Sequence, residues 1–326
     1  MLASHEDGET WRTIYQFLHD RDILPTYHLG DGASAITNAG ESVYSGDKES
    51  IRLMCYSHVH SNLLKHLKSI TTNSKTVADQ LLRDIENLQW SALNEATFKK
   101  CCRLLEQKYL GKYDEVLNAS LNVFFKYLHS VWIDSKVSKW YEGSHPWRIC
   151  NNQGIEGTNK NIKQNYTFRR KLELGELINV MLDLVKDWSE ADDKLLESSR
   201  LAMLEGEKDS LSLKTAGYHW FMQNKSGTDK IIRINPAGKY TVSESKEFNL
   251  GKVINIWAVN SSEGLKSGKS LKDRAKERLA NRELPLGNSF DDYMRIRTSC
   301  WLLEERDGDF YCDCPIGMKV RIMLLN

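Results

Sequence analysis

From residue 76 to residue 141 apolar side chains recur at every third or fourth position. Leu81, Leu82, Ile85 and Leu88 make one stripe. Phe98, Cys101, Cys102 and Leu105 make a second, and Val123, Phe124, Tyr127, Leu128 and Val131 a third. That period belongs to the α-helix, and Gly111 separates two of the stripes. The segment predicts about four helices that bury their apolar faces on one another.

The flanks read differently. Residues 8–20 predict an amphipathic helix through Trp11, Ile14, Tyr15 and Leu18. Residues 26–30 are a short β-like run that Pro25 can precede, ended by Asp31-Gly32, with a helix opening over 33–39. A strand, a tight turn and a helix make half of an α/β unit. IRLMCYSHV, 51–59, is a second strand candidate, and 62–70 a helix carrying Leu63, Leu64 and Leu67. Beyond the helical block, Gly143-Ser144-His145-Pro146 is a breaker. Helices follow at 152–165 and 174–198, with further helix over 200–230. After Gly227 the segments KIIRIN, KYTVSES and VINIWAV turn β-like, and MRIRTSCWLLEE and DFYCDC resume that texture. Between them, 261–284 is densely charged and reads as a solvated linker or mobile helix. No internal repeat is present.

Composition excludes several classes. Charged residues make up 27% and hydrophobic ones 40%, and nine Trp argue against a disordered regulator. Lys+Arg 45 against Asp+Glu 44 announces no partner through global charge. No apolar run is long enough to span a bilayer, so no membrane partner is expected. The first residues carry acids and lack the apolar core of a signal peptide. Seven scattered Cys fit a reducing compartment better than a disulfide framework.

Four places could carry chemistry. Asp31 stands where a strand hands over to a helix, the position that faces the ligand crevice in open α/β sheets. It can ligate a divalent metal through hard oxygens or simply cap the helix. Cys55 and His58 have C-x-x-H spacing, half of a zinc site or a buried thiol beside a satisfied imidazole. Glu156, near the start of a helix, can be a metal ligand or the partner of Lys160 in a surface pair worth about 0.2–0.5 kcal/mol. Cys312 and Cys314 form a C-x-C able to share one Zn²⁺ at about 2.3 Å each, or two reduced thiols. Residues 157–172 also hold Lys160, Lys163, Arg169, Arg170 and Lys171 with no acid, and Tyr166 and Phe168 interleave them. That mixture suits a phosphate backbone and its bases, or a solvated face.

The order of these motifs resembles a known family. Asp31 in LGDGASAITNA, Cys55 and His58 in MCYSHVHSNLLKHL, Glu156 in NNQGIEGTNKNIKQ and the following YTFRR together resemble the Mutator-like element (MULE) transposase domain over about residues 8–190. The WAV segment and FYCDCPIGM resemble the first half of a SWIM-type zinc finger over 240–326. Cys150 and Gly157 stand where Thr and Ser are common in the family.

The resemblance implies an α/β, mostly helical chain: a partial RNase H-like core with a helical insertion, then a small β-containing SWIM-like region. The boundaries so implied are a partial core at 1–70, the insertion at 71–147, core helices with the last acid at 148–200, a helical connector at 201–238 and the SWIM-like region at 239–326. It further implies a two-metal DDE site for DNA cleavage and strand transfer, with Asp31 as second acid and Glu156 as third, holding Mg²⁺. The first acid belongs to an earlier strand, and Asp7, Asp20 and Asp22 lie on or beside the first helix instead. The C-x-C implies zinc, but its usual C-x-H complement does not follow within 315–326. The expectation is therefore a transposon-derived chain, cut at both ends and not catalytic alone, nuclear, with DNA as partner. The alternative is a non-catalytic nuclear module that binds zinc and contacts DNA or nuclear proteins.

Overall fold

The computed structural model describes residues 7–44, 50–144, 153–187, 189, 231–234, 253–280, 288–306 and 309–314, with side chains for all of these but 153–156, 253, 254, 306 and 309–311. They are mostly helical with two small sheets, and form two compact units: 1–152 with 229–326, and 153–228. Among the described residues no helix is long and apolar enough to cross a membrane.

The first unit opens with helix α1 (Gly8–His19), whose Asp7 side chain accepts the Thr10 N–H. Strand β1 (Tyr27–Gly30), helix α2 (Ser34–Tyr44) and strand β2 (Ile51–Met54) follow. β1 and β2 pair in parallel, Tyr27 opposite Ile51 and Gly30 opposite Met54. Parallel neighbours need a crossover, and α2 supplies it. Tyr15 of α1 packs with Ile36, Ala39 and Tyr44 of α2, closing a small aromatic cluster beside the strands.

The second strand is shorter than the apolar run 51–59 predicts. Its ladder ends where the Cys55 N–H reaches the Gly30 carbonyl at 2.9 Å, and the His58 N–H turns back to the Cys55 carbonyl at 3.1 Å. Helix α3 (Tyr56–His66) therefore begins inside that run, and α4 (Lys68–Asn73) follows it directly. Periodicity could not separate a buried strand from the buried face of a helix here.

The helical block follows its stripes except at Val123, which is 66% exposed. α5 (Lys75–Ser91), α6 (Glu95–Tyr109) and α7 (Glu115–Tyr127) are capped by Ser74, Asn94 and Asp114, each accepting an N–H of the first turn. Gly111 turns the chain between α6 and α7 at φ 77°. α7 runs into a π-helical turn, Leu128–Ile133. Ile85, Leu88, Phe98, Leu105, Phe124 and Leu128 lie in one core with Trp140. Trp140 stacks on Tyr56 and meets Phe98 edge-on, which ties α3 to the block.

The C-terminal sheet is antiparallel in the order β3 (Ile231–Ile234), β4 (Val253–Asn260), β5 (Cys300–Arg306), β6 (Asp309–Cys312). The charged segment 261–284 is not a solvated linker where it is described. It holds a short helix α9 (Ser262–Leu265) and helix α10 (Leu271–Ala280). Leu271, Ala275 and Leu279 of α10 pack on Ile256, Ala258 and Leu302 of the sheet, and Arg274 and Arg278 are buried with them. The β texture expected from Met294 begins only at Cys300, because Phe290–Arg297 forms helix α11. Phe290 and Tyr293 of α11 enter the core of the helical block.

The second unit contains helix α8 (Gln153–Asn161), a π-helical turn Ile162–Tyr166 and a helix over 174–187. The expected strand at 239–245, the helix over 200–230 and the breaker's His145 and Pro146 lie outside the described residues.

Candidate functional site

Asp31 sits at the carboxyl end of β1, and its Oδ1 accepts the Ala33 N–H at 2.9 Å. That bond closes an Asx turn just before α2. The buried Arg52 of β2 donates to the Asp31 and Leu53 carbonyls and reaches Thr37 Oγ1 at 3.3 Å. Its guanidinium therefore stitches β1, β2 and α2 together. A carboxylate with one oxygen in a turn and a guanidinium on its own carbonyl supplies at most one hard ligand. Alone it does not fit a magnesium pair, and the side chain of Glu156, on α8, lies outside the described residues.

His28 of β1 is the neighbouring titratable group. Its ring forms a cluster with those of Tyr15 and Tyr44, which also touch each other, and Nδ1 is 3.0 Å from Ser50 Oγ. Burial first, then the Arg52 charge, pull its pKa down to about 4, so the imidazole is neutral at physiological pH.

Cys55 is fully buried at the end of β2, and His58 lies in the first turn of α3. The C-x-x-H spacing thus spans a strand–helix junction. Among the described residues no group of three or more His, Cys, Asp and Glu is placed to hold a metal ion.

The basic stretch is on the surface of the second unit. Lys160, Lys163, Arg169, Arg170 and Lys171 are all exposed, and Phe168 is 65% exposed. Phe168 and Arg169 are both left-handed, at φ 50° and 59°, and the Arg169 N–H closes the turn on the Lys163 carbonyl at 2.7 Å. Two successive non-glycine residues in that region are uncommon. The turn projects an aromatic ring amid cations, and of these Arg170 is paired with Glu176 at 3.2 Å.

The C-x-C closes β6. Asp313, between the two cysteines, is buried, while Cys312 and Cys314 are half-buried. Asp313 Oδ1 accepts the Leu302 N–H at 2.8 Å and its own N–H meets the Leu302 carbonyl at 3.0 Å. Oδ2 takes Arg278 Nη2 at 2.7 Å and lies 3.3 Å from Arg297 Nη1. Arg297 Nη2 also donates to the Asp313 carbonyl at 2.5 Å, and Nε to the Ser91 carbonyl at 3.1 Å. The rings of Trp90 and Trp301, in edge contact with each other, lie 5.2 and 5.9 Å from that guanidinium. Burial and the Arg297 charge pull the Arg278 pKa down to about 10, against the pull of Asp313.

The Cys314 N–H lies 3.4 Å from Cys312 Sγ, and the two side chains hydrogen-bond. That bond, then burial and the Asp313 charge, raise the Cys312 pKa. Two thiols are half of the four ligands that a closed zinc site takes, and no third ligand joins them among the described residues. Of the buried arginines around Asp313, Arg278 was missed from sequence because α10 reads as a solvated charge run, and Arg297 because its segment reads as β texture.

No protein-family model, no curated protein and no solved structure matches the chain.

Proposed function

We propose that the chain is a transposase-derived DNA-binding protein of MULE type that does not catalyse transposition by itself. The observation that carries this reading is the exposed basic turn with Phe168 at its tip. Cations on a convex turn can neutralise backbone phosphates, and an exposed ring can stack on a base. The parallel β1–α2–β2 unit with Asp31 at the carboxyl end of β1 supports an RNase H-like ancestry. A nuclear location follows from DNA as partner.

The test is a salt titration of DNA binding. Changing Arg169, Arg170 and Lys171 together to Gln should weaken binding to any sequence and flatten the log–log salt slope by about 0.9 per lost phosphate contact. Equal affinity and slope in the variant would remove the reading. Purified protein should not nick DNA with Mg²⁺, and nicking abolished by Asp31→Asn would overturn that part.

A second reading, a nuclear zinc-binding interaction module, is favoured by the C-x-C. Zinc bound there would be held by Cys312 and Cys314 and would brace the end of β6.

A further inference from the structure

We propose that the helix over 174–187 is a self-association surface, on which a second copy of this chain lays its own helix in the antiparallel sense.

The helix opens where the Leu177 N–H reaches the Glu173 carbonyl at 2.8 Å. Leu174, Ile178, Met181, Leu182 and Val185 stand on its surface, 40–62% exposed. At 3.6 residues per turn they fall within an arc of about 100°. Glu176, Asn179, Asp183 and Asp187 take the opposite side and are exposed as well. One side is built for water and the other is not, yet both face it. A continuous apolar stripe of this kind marks a contact surface.

The spacing within the stripe selects the occupant. Leu174, Ile178, Met181 and Val185 are four, three and four positions apart. That alternation is the seam of two packed helices. It also reads the same from either end. Reversing one helix about the bond between Asn179 and Val180 sets Leu174 against Val185 of the second copy, and Ile178 against its Met181. A two-fold interface needs such self-complementarity.

Charge sets the direction. Lys163, Arg169, Arg170 and Lys171 lead into the helix, exposed and with no acid among them. Its far end carries Asp183 and Asp187 against one Lys186, and the sequence goes on through Glu190, Asp192 and Asp193. Antiparallel copies bring the basic end of each to the acidic end of the other. Parallel copies would set like charges together, which costs affinity.

The test is sedimentation equilibrium of the full chain without DNA. The wild type should form a dimer that dissociates on dilution. A wild type that is monomeric at every concentration would overturn the proposal. Ile178→Lys places a charge at the centre of the seam and should weaken the dimer by at least about tenfold with unchanged far-ultraviolet circular dichroism. Should that variant not fold, Leu182→Gln at the border of the stripe should weaken it in the same direction. Dimerisation equal to wild type in the folded variant would overturn the seam. Changing Arg169, Arg170 and Lys171 together to Gln separates the two directions. Antiparallel helices lose attraction and the dimer weakens, whereas parallel helices lose repulsion. A dimer as tight as wild type, or tighter, would overturn the antiparallel assignment.

Discussion

At the scale of single residues, buried polar groups decide how this protein responds to its surroundings. His28 carries a folded-state pKa of about 4 against an ordinary 6.5. Below pH 6.5 the unfolded chain takes up a proton that the folded one refuses until about pH 4. The stabilising contribution is complete above pH 6.5 and is lost as pH falls through that window. Thermal unfolding between pH 7 and 4 should show the melting temperature falling, and His28→Gln should flatten that fall; an unchanged slope would remove His28 as the cause. Asp31 makes a different prediction. Asp31→Ala deletes the acceptor for the Ala33 N–H and should cost about 0.5–1.5 kcal/mol in urea unfolding. Asp31→Asn keeps an oxygen there and should cost less. Gly40 belongs to the same cluster, since a Cβ at that position would come 2.8 Å from His28 Nε2.

At the scale of elements, α10 shows what a charge run conceals. Arg274 donates to the Ser299 carbonyl at 2.6 Å, to the Lys269 carbonyl at 3.2 Å and to Asn260 Oδ1 at 2.5 Å, all from a nearly buried position. Arg274→Gln should leave the Ser299 carbonyl unpaired and cost about 1–3 kcal/mol. The neighbouring exposed Lys272 changed to Gln should stay within about 0.5 kcal/mol of wild type. Equal effects of the two would mean that α10 is solvated after all. Its apolar residues, Leu271, Ala275 and Leu279, were readable as a 4–4 spacing, but three side chains among so many charges gave no reason to bury the helix. The three stripes of 76–141 were legible because their apolar faces are broad and uninterrupted. The junction at Cys55 was not, since backbone bonds to Gly30 and within α3 end the strand there.

At the scale of the molecule, α11 joins the C-terminal sheet to the helical block. Phe290 is fully buried in the core of the block, and Lys108 bridges Asp291 of α11 and Asp84 of α5 at 2.6 and 2.7 Å. Phe290→Ala should cost about 3–5 kcal/mol in a single unfolding transition that lowers the stability of sheet and block together. Two separate transitions in calorimetry would show that the sheet folds independently. The same packing brings Gly143 onto α5: a Cβ there would fall 2.2 Å from the Ala92 carbonyl oxygen, so the segment leading out of the block is fitted to backbone.

The sequence by itself determined the long helices between residues 75 and 127, because a period of 3.6 is a property of neighbouring residues, but it did not separate strand from helix at 56–59 or 294–297. It also determined that 157–172 carries cations without acids, which is a matter of composition. Only the tertiary structure decided which charges are buried. Arg297 and Ser91 are 206 positions apart, and Arg278 and Asp313 are 35 apart. A guanidinium is withdrawn from water only where carbonyls and a carboxylate from other elements surround it. No local pattern encodes that meeting, and on it depends whether Cys312 and Cys314 form a pair or stand as two separate thiols.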